Sequence, residues 1–303
     1  MAGGETLVSM RRDIQTRMFD SARWDHVALR EDDIVVATWA KSGTTLTQQM
    51  IYQLVSGGED GLGSATASPW VDVRFMMPLD DMVDMLDAQA HRRFMKTHLP
   101  FEATPFSPTM KYVYIGRDGR DVLWSVHNHC NSFTETAWNS INAAEGPWPK
   151  WSAPTPDVRQ YYLDWLETDT TPGFHDLSFW SHVQSWWDQR RRPNILLLHY
   201  ANLIDDLPGG LRRLAQFLEI DIDEARFPAM IEHCCIDYMR EQGANTMTST
   251  FFENGAATFF NKGTNGRWRD VLSPAEIARC DAVAAERLTP DCAHWLKTGE
   301  LPD

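Results

Sequence analysis

The chain has 303 residues, 43% of them hydrophobic and 23% charged, with a formal net charge of −14. That composition is ordinary for a globular protein and supplies enough chain for one large core or two domains. The acidic balance argues against nucleic acid or an anionic membrane surface as the main partner, so an anionic ligand would have to be met by a local cluster of Lys and Arg.

No apolar run approaches the roughly 18 residues that would suggest a membrane span. The opening Met1-Ala2-Gly3-Gly4-Glu5-Thr6 has neither the basic region nor the apolar core of a signal peptide. Five cysteines (Cys130, Cys234, Cys235, Cys280, Cys292) form no C-x-x-C pair, so reduced structural thiols in the cytoplasm are expected.

In chain order, residues 1–30 read as a helix and entry loop with Arg11, Arg12 and Arg17 on the polar side. Ile34-Val35-Val36-Ala37 is a buried strand running into Thr38-Trp39-Ala40-Lys41-Ser42-Gly43-Thr44-Thr45. Leu46, Met50 and Leu54 then recur at helical spacing, and Ser56 to Asp60 carries a glycine stop. A strand, a tight turn and a helix N-terminus make an anion cradle, with backbone N–H groups and the positive end of the helix dipole facing the ligand. Gly43 permits close backbone approach, Thr44 and Thr45 offer hydroxyls, and Lys41 adds a mobile charge. The blander alternative is a turn whose hydroxyls only cap a helix. A Walker A loop does not fit, because lysine here precedes the glycine by two positions.

Between Pro69 and Asp87 lie Trp70, Phe75, Met76, Met77, Met82 and Met85, residues that either fill a core or line a soft acceptor pocket. Phe94 to Pro100 (Phe-Met-Lys-Thr-His-Leu-Pro) reads as a short strand ended by proline. Tyr112 to Gly116 is a second buried strand, leading through Arg117-Asp118-Gly119-Arg120-Asp121 into a helix with Val122, Ser125 and His129. Arg120 and Asp121 read as surface and packing residues. Residues 131–176 read as loops with one short helix near Tyr161–Leu166, and eight of the thirteen tryptophans fall between Trp124 and Trp187. Phe179, Val183 and Trp186 mark an amphipathic helix, Ile195 to His199 a parallel strand, and Leu211, Leu214, Phe217 and Leu218 another helix.

Strands alternating with helices predict an α/β fold, a central parallel sheet with helices on both faces and ligands at the carboxyl ends of the strands. Lys41, His98 and Arg117 each stand just past a predicted strand end. Near the C-terminus, Phe259 to Arg269 holds two glycines and three cations between aromatics, either a loop closing over an anion or a solvated basic turn. The ten histidines show no ligand spacing on one helix, so no metal site is expected.

Four segments in order resemble the PAPS-dependent sulfotransferase family, in particular its cytosolic branch. Thr38 to Thr45 resembles its 5′-phosphosulfate loop, and Lys96-Thr97-His98-Leu99-Pro100 its catalytic stretch. Tyr114 to Ser125, with Arg117 and Ser125 eight apart, is similar to its 3′-phosphate motif, and Lys262-Gly263-x-x-Gly266-x-Trp268 to its C-terminal loop. The Trp180–Trp187 helix and the strand ending in Tyr200 also fit, so the likeness covers roughly residues 30–275.

The resemblance implies one sulfotransferase domain over 1–303, nucleotide-kinase-like with a P-loop-like turn. Its acceptor-side loops would be mainly 60–90 and 131–176, and its cofactor-closing loop 250–269. The implied reaction moves a sulfuryl group from PAPS to a hydroxyl or amine of a small, apolar or aromatic acceptor, leaving PAP. Catalytic roles fall on His98 as general base, Lys41, Lys96 and Ser125; an ordinary histidine titrates near neutrality, as suits a base, and the alternative for His98 is a buried structural histidine. Cofactor contacts fall on Lys41, Ser42, Gly43, Thr44, Thr45, Leu46, Arg117, Ser125, Tyr200, Cys234, Phe259, Lys262 and Gly263, with Ile236 nearby.

Four positions depart from the family pattern. Ala40 stands for a usual proline, Leu46 for an adenine-stacking aromatic, Asn261 for an arginine, and Arg267 for an acid. Arg267 or Arg269 would then partly replace the missing cation. The family's dimer signature is not recognisable in Arg269–Ala278, which leaves homo-oligomerisation open. The rival readings are a nucleotide or small-molecule kinase, which lacks its Walker lysine here, and a non-catalytic nucleotide-binding protein, which would not need the Lys41–His98 pair.

Overall fold

The computed structural model describes residues 11–302 apart from 172, 245 and 247. Four parallel strands, β1 (Ile34–Thr38), β2 (Phe94–Thr97), β3 (Lys111–Gly116) and β4 (Ile195–His199), form one sheet in the order β2-β1-β3-β4. Ile34 pairs with both Phe94 and Lys111, and Tyr112 with Ile195. Both faces are covered, which explains why the strands read as continuous apolar runs.

The two-residue period of the strands divides the core. Val35, Ala37, Met95, Tyr112, Tyr114 and Leu197 join one cluster with α3 (Gly119–Cys130), α5 (Val158–Thr168), α6 (Phe179–Trp187) and α9 (Pro290–Thr298). Ile34, Val36, Phe94, Val113, Ile115 and Leu198 face the other way, onto α1 (Thr44–Ser56) and α7 (Leu207–Leu218). Further helices include α2 (Leu79–Asp87), α4 (Glu135–Asn142) and α8 (Pro274–Arg287), the last held by a capping box of Ser273 and Glu276. Among the described residues no helix is long and apolar enough to cross a membrane.

The glycine stop after α1 is present: Gly57 caps the helix in a left-handed conformation and the Gly58 N–H donates to Gln53 O. The helix expected within residues 1–30 is absent from its described part. Residues 11–20 run irregularly and only Ser21–His26 coils, as a 3-10 turn capped by Asp20; the first ten residues lie outside the described set. Arg17 is buried rather than on a polar face, because its guanidinium donates to the carbonyls of Asn142, Ala144, Trp148 and Pro149.

Segment 131–176 contains two helices instead of one. Thr134 and Asp157 cap α4 and α5, which bury Ala137 and Ile141, and Tyr161, Tyr162, Trp165 and Leu166. Strand β2 stops at Thr97, short of the proline, since the His98 N–H turns to Asp72 Oδ2 and the Leu99 N–H to Thr97 Oγ1. Arg120 and Asp121 are not surface residues. Arg120 is paired with Asp118 and Asp281 and lies over the Trp268 ring, while Asp121 accepts from the Gly266 N–H.

Candidate active site

The carboxyl ends of β1, β2 and β3 open into one cavity of about 920 Å³. After β1 the chain turns through Lys41 (φ 66°) and Gly43 (φ 117°) into α1, leaving the first N–H groups of the helix free for an anion. Gly43 is required twice over, by its φ and by its neighbour: a Cβ there would stand 2.7 Å from Tyr200 Cδ2. Thr44 Oγ1 is 2.7 Å from Thr38 Oγ1, while Thr45 and Leu46 line the cavity. Ser42 is buried in the loop and is not among the lining residues.

His98 follows β2 and is held from both sides. Its N–H donates to buried Asp72, and its Nδ1 lies 2.7 Å from the Thr38 carbonyl oxygen and 3.0 Å from Thr38 Oγ1. A carbonyl only accepts, so Nδ1 carries the hydrogen and Nε2 keeps a lone pair. Burial first, then the charge of Lys96 and the neighbouring His175 and His182, hold the imidazole well below its usual pKa. It is therefore neutral at physiological pH and equipped as a proton acceptor.

Lys96 stands over the Trp70 ring, 3.8 Å from its centroid. Burial and the nearby Lys41 push its ammonium down to about 7, against the pull of Asp72. Burial, with Arg117 adding to it, brings Lys41 to about 8. The two lysines face the same cavity without a carboxylate ion pair of their own, an arrangement that favours an arriving anion.

Arg117 follows β3 and donates to Lys41 O (3.1 Å), Thr264 O (3.2 Å) and Asn265 Oδ1 (3.0 Å). Its guanidinium lies 4.3 Å from the Tyr200 ring centroid, and the Tyr200 hydroxyl donates to Gly263 O. The loop after Phe259 is thus tied to the phosphate loop through Arg117 and Tyr200. Ser125, Cys234, Phe259, Lys262 and Gly263 line the same cavity, as does Ile236. Of the two arginines beside Trp268, Arg267 lines the cavity and Arg269 lies over the Trp268 ring. With its amide turned to suit its neighbours, Asn128 accepts from Arg267 (2.7 and 3.1 Å) and from Asn261 Nδ2 (3.1 Å).

A chain of net charge −14 therefore gathers Lys41, Lys96, Arg117, Lys262 and Arg267 around one cavity, against the single lining carboxylate of Asp121. Much of the remaining lining is apolar. Trp70, Phe75, Met76, Met77, Met82 and Met85 come from the 60–90 segment, and Phe133 and Phe174 from 131–176. Phe251 and Phe252 add a roof from the segment expected only to close the cofactor end, pinned to α4's start by Thr134 N–H to Phe251 O and Glu253 N–H to Ser132 O.

Sequence reasoning missed Asp72, Asn128, His129 and this roof. His129 had a signal, one helical turn after Ser125 on the same face. Asp72 had none, because its bond to the His98 N–H spans 26 residues. Among the described residues no three His, Cys, Asp or Glu side chains gather as metal ligands.

A family model described as a sulfotransferase domain matches residues 31–290. The glycolipid sulfotransferase of Mycobacterium bovis (strain BCG / Pasteur 1173P2) is 31% identical over 304 residues, covering 93% of this chain and 93% of its own. A crystal structure of retinol dehydratase in a complex with retinol and PAP matches with TM-score 0.69 at 22% identity, covering 93% of this chain and 86% of the other. A mouse sulfotransferase complexed with PAP matches with TM-score 0.67 at 20% identity, covering 95% and 98%. At those identities the two structures share the fold with this chain.

Proposed function

The chain belongs to the sulfotransferase family, and within it we propose that this protein transfers a sulfuryl group from PAPS to a hydroxyl or amine of a small, apolar or aromatic acceptor. The observation that carries the reading is His98, its Nδ1 bound to the Thr38 carbonyl and its Nε2 left to accept a proton, in the same cavity as Lys41, Lys96, Arg117, Lys262 and Arg267. The donor set fits an adenosine bisphosphate: a helix N-terminus and Lys41 at one end, Arg117, Ser125, Lys262 and Gly263 at the other.

PAPS supplies the sulfuryl group and a phosphate leaving group. His98 takes the proton from the attacking acceptor, Lys96 supports the sulfuryl oxygens, and Lys41 offsets the charge that develops on the leaving oxygen. Thr44, Thr45 and the backbone of Ser42 and Gly43 hold the 5′-phosphate. Arg267 takes the part of the cation absent at Asn261. Leu46, Tyr200, Cys234, Ile236 and Phe259 pack around the adenine, and the methionines and Phe251–Phe252 around the acceptor. An apolar acceptor agrees with relatives named for a glycolipid and for retinol. The reading treats the chain as one catalytic domain working in the cytoplasm.

Titration calorimetry with PAP and with 5′-AMP tests the donor. Charge-assisted contacts to the 3′-phosphate are worth about 1.5–3 kcal/mol, so PAP should bind at least roughly tenfold more tightly. Equal affinities would overturn the cofactor assignment.

A further inference from the structure

Lys41 carries the charge that the proposed reaction needs, and among the described residues no carboxylate pairs with its side chain. Its hydrogen-bond partner is a histidine of another element: Lys41 Nζ lies 3.1 Å from His129 Nδ1. An ammonium only donates, so Nδ1 is the acceptor and the hydrogen of the neutral imidazole sits on Nε2, the opposite tautomer to His98. His129 stands one turn after Ser125 on α3, and both line the cavity. Its ring is boxed by Phe252, Phe133, Phe174 and Phe259, with centroids 4.7, 4.9, 5.1 and 6.0 Å away. Phe259 also lies under the ammonium, 5.1 Å from Nζ.

The geometry points to His129 as a positioning residue that tethers the Lys41 ammonium by one of its three N–H groups and leaves the other two for the phosphosulfate. This inference rests on the sulfotransferase reading for its catalytic consequence, though not for the tether itself. The aromatic box cannot move without disturbing the acceptor roof, so the tether is as rigid as the fold around it. A lysine aimed in this way loses less freedom when the reaction needs it, and misplacement of a catalytic group by an ångström is enough to cost a large factor in rate. The ionisable groups facing the imidazole are Lys41 from the phosphate loop and Lys96 from β2, and burial together with these two cations keeps it neutral. A neutral imidazole is what the tether requires, since an imidazolium would have no acceptor to offer.

His129→Phe keeps the ring and removes the acceptor; His129→Asn restores an acceptor oxygen close to the place of Nδ1. Turnover should fall roughly ten- to a hundredfold in His129→Phe with PAP affinity within about twofold of wild type, and His129→Asn should recover most of it. In a Lys41→Ala background His129→Phe should do no further harm. Turnover of His129→Phe within twofold of wild type, or an equal loss with and without Lys41, overturns the proposal.

A second readout needs no activity. With lysines carrying ¹³C-methyl groups, the NMR titration midpoint of Lys41 should fall by about one pH unit in His129→Phe, because a hydrogen bond to the ammonium favours its charged form, and return in His129→Asn. An unmoved midpoint overturns the tether even if no acceptor is ever found. A moved midpoint in a protein that transfers no sulfuryl group upholds the tether and removes the sulfotransferase reading.

Discussion

Gly43→Ala should damage the phosphate loop without touching a charged group. At φ 117° and ψ 16° the residue is left-handed, with φ well beyond the roughly +50 to +70° that other residues tolerate, so a side chain there is strained, at about 1–3 kcal/mol. The new Cβ would also meet Tyr200 Cδ2 at 2.7 Å and Ile115 Cγ2 at 3.5 Å. The tyrosine ring cannot step aside cheaply, because Arg117 covers its face at 4.3 Å and its hydroxyl is bonded to Gly263 O. Overpacking of this kind costs about 1–3 kcal/mol, so the total is roughly 2–6 kcal/mol. If the loop relaxes by moving rather than unfolding, the same strain appears as lost donor affinity, since both Arg117 and Gly263 are moved with Tyr200. Urea denaturation and PAP calorimetry on the variant should together account for that sum. Stability within about 0.5 kcal/mol of wild type, a typical surface-substitution effect, with unchanged PAP affinity would refute the reasoning.

The lysines give a proton signature to binding. Lys41 titrates near 8 and Lys96 near 7 in the free protein, and an arriving anion raises both, so PAP binding at about pH 8 should take up protons and weaken as pH rises further. Calorimetry in buffers of different ionisation enthalpy measures this directly, and no proton uptake would show that the lysines do not face the ligand. At the amino ends of β1 and β2, Arg93 and Asp33 form a two-pronged ion pair (2.6 and 2.9 Å) with both side chains fully buried. Arg93→Met leaves Asp33 uncompensated and should lower unfolding stability by about 3–5 kcal/mol with little change in PAP affinity once folded; a loss below about 1 kcal/mol would mean that water reaches the carboxylate.

The strands and the three loops at their ends were legible because they are local. Four short strands fix the sheet, and Lys41, His98 and Arg117 follow from their position after three of them. What escaped depends on partners far apart in the chain. Arg17 looks like a surface cation until its guanidinium meets four carbonyls about 130 residues away. Helix α4 is short and built on Thr, Asn and Ser, whose propensities favour caps and turns, and the Thr134 cap with the burial of Ala137 and Ile141 supports it. Asp72 gives no local sign that it will hold the His98 backbone. The choice between Arg267 and Arg269 at the cavity is made by the turn at Gly266 and by the Trp268 ring, neither of which spacing alone decides.

The central claim is that His98 is the base of a sulfuryl transfer, and labelled PAPS with neutral aliphatic and phenolic alcohols tests it most directly. Wild-type protein should move label to an acceptor. His98→Asn should still bind PAP but transfer to an aliphatic alcohol about 10²–10⁴ times more slowly, with a smaller loss for an acidic phenol that sheds its own proton. Transfer by His98→Asn at near wild-type rate to aliphatic alcohols would contradict the assignment, and absence of transfer by the wild type across the whole acceptor set would contradict the reaction itself.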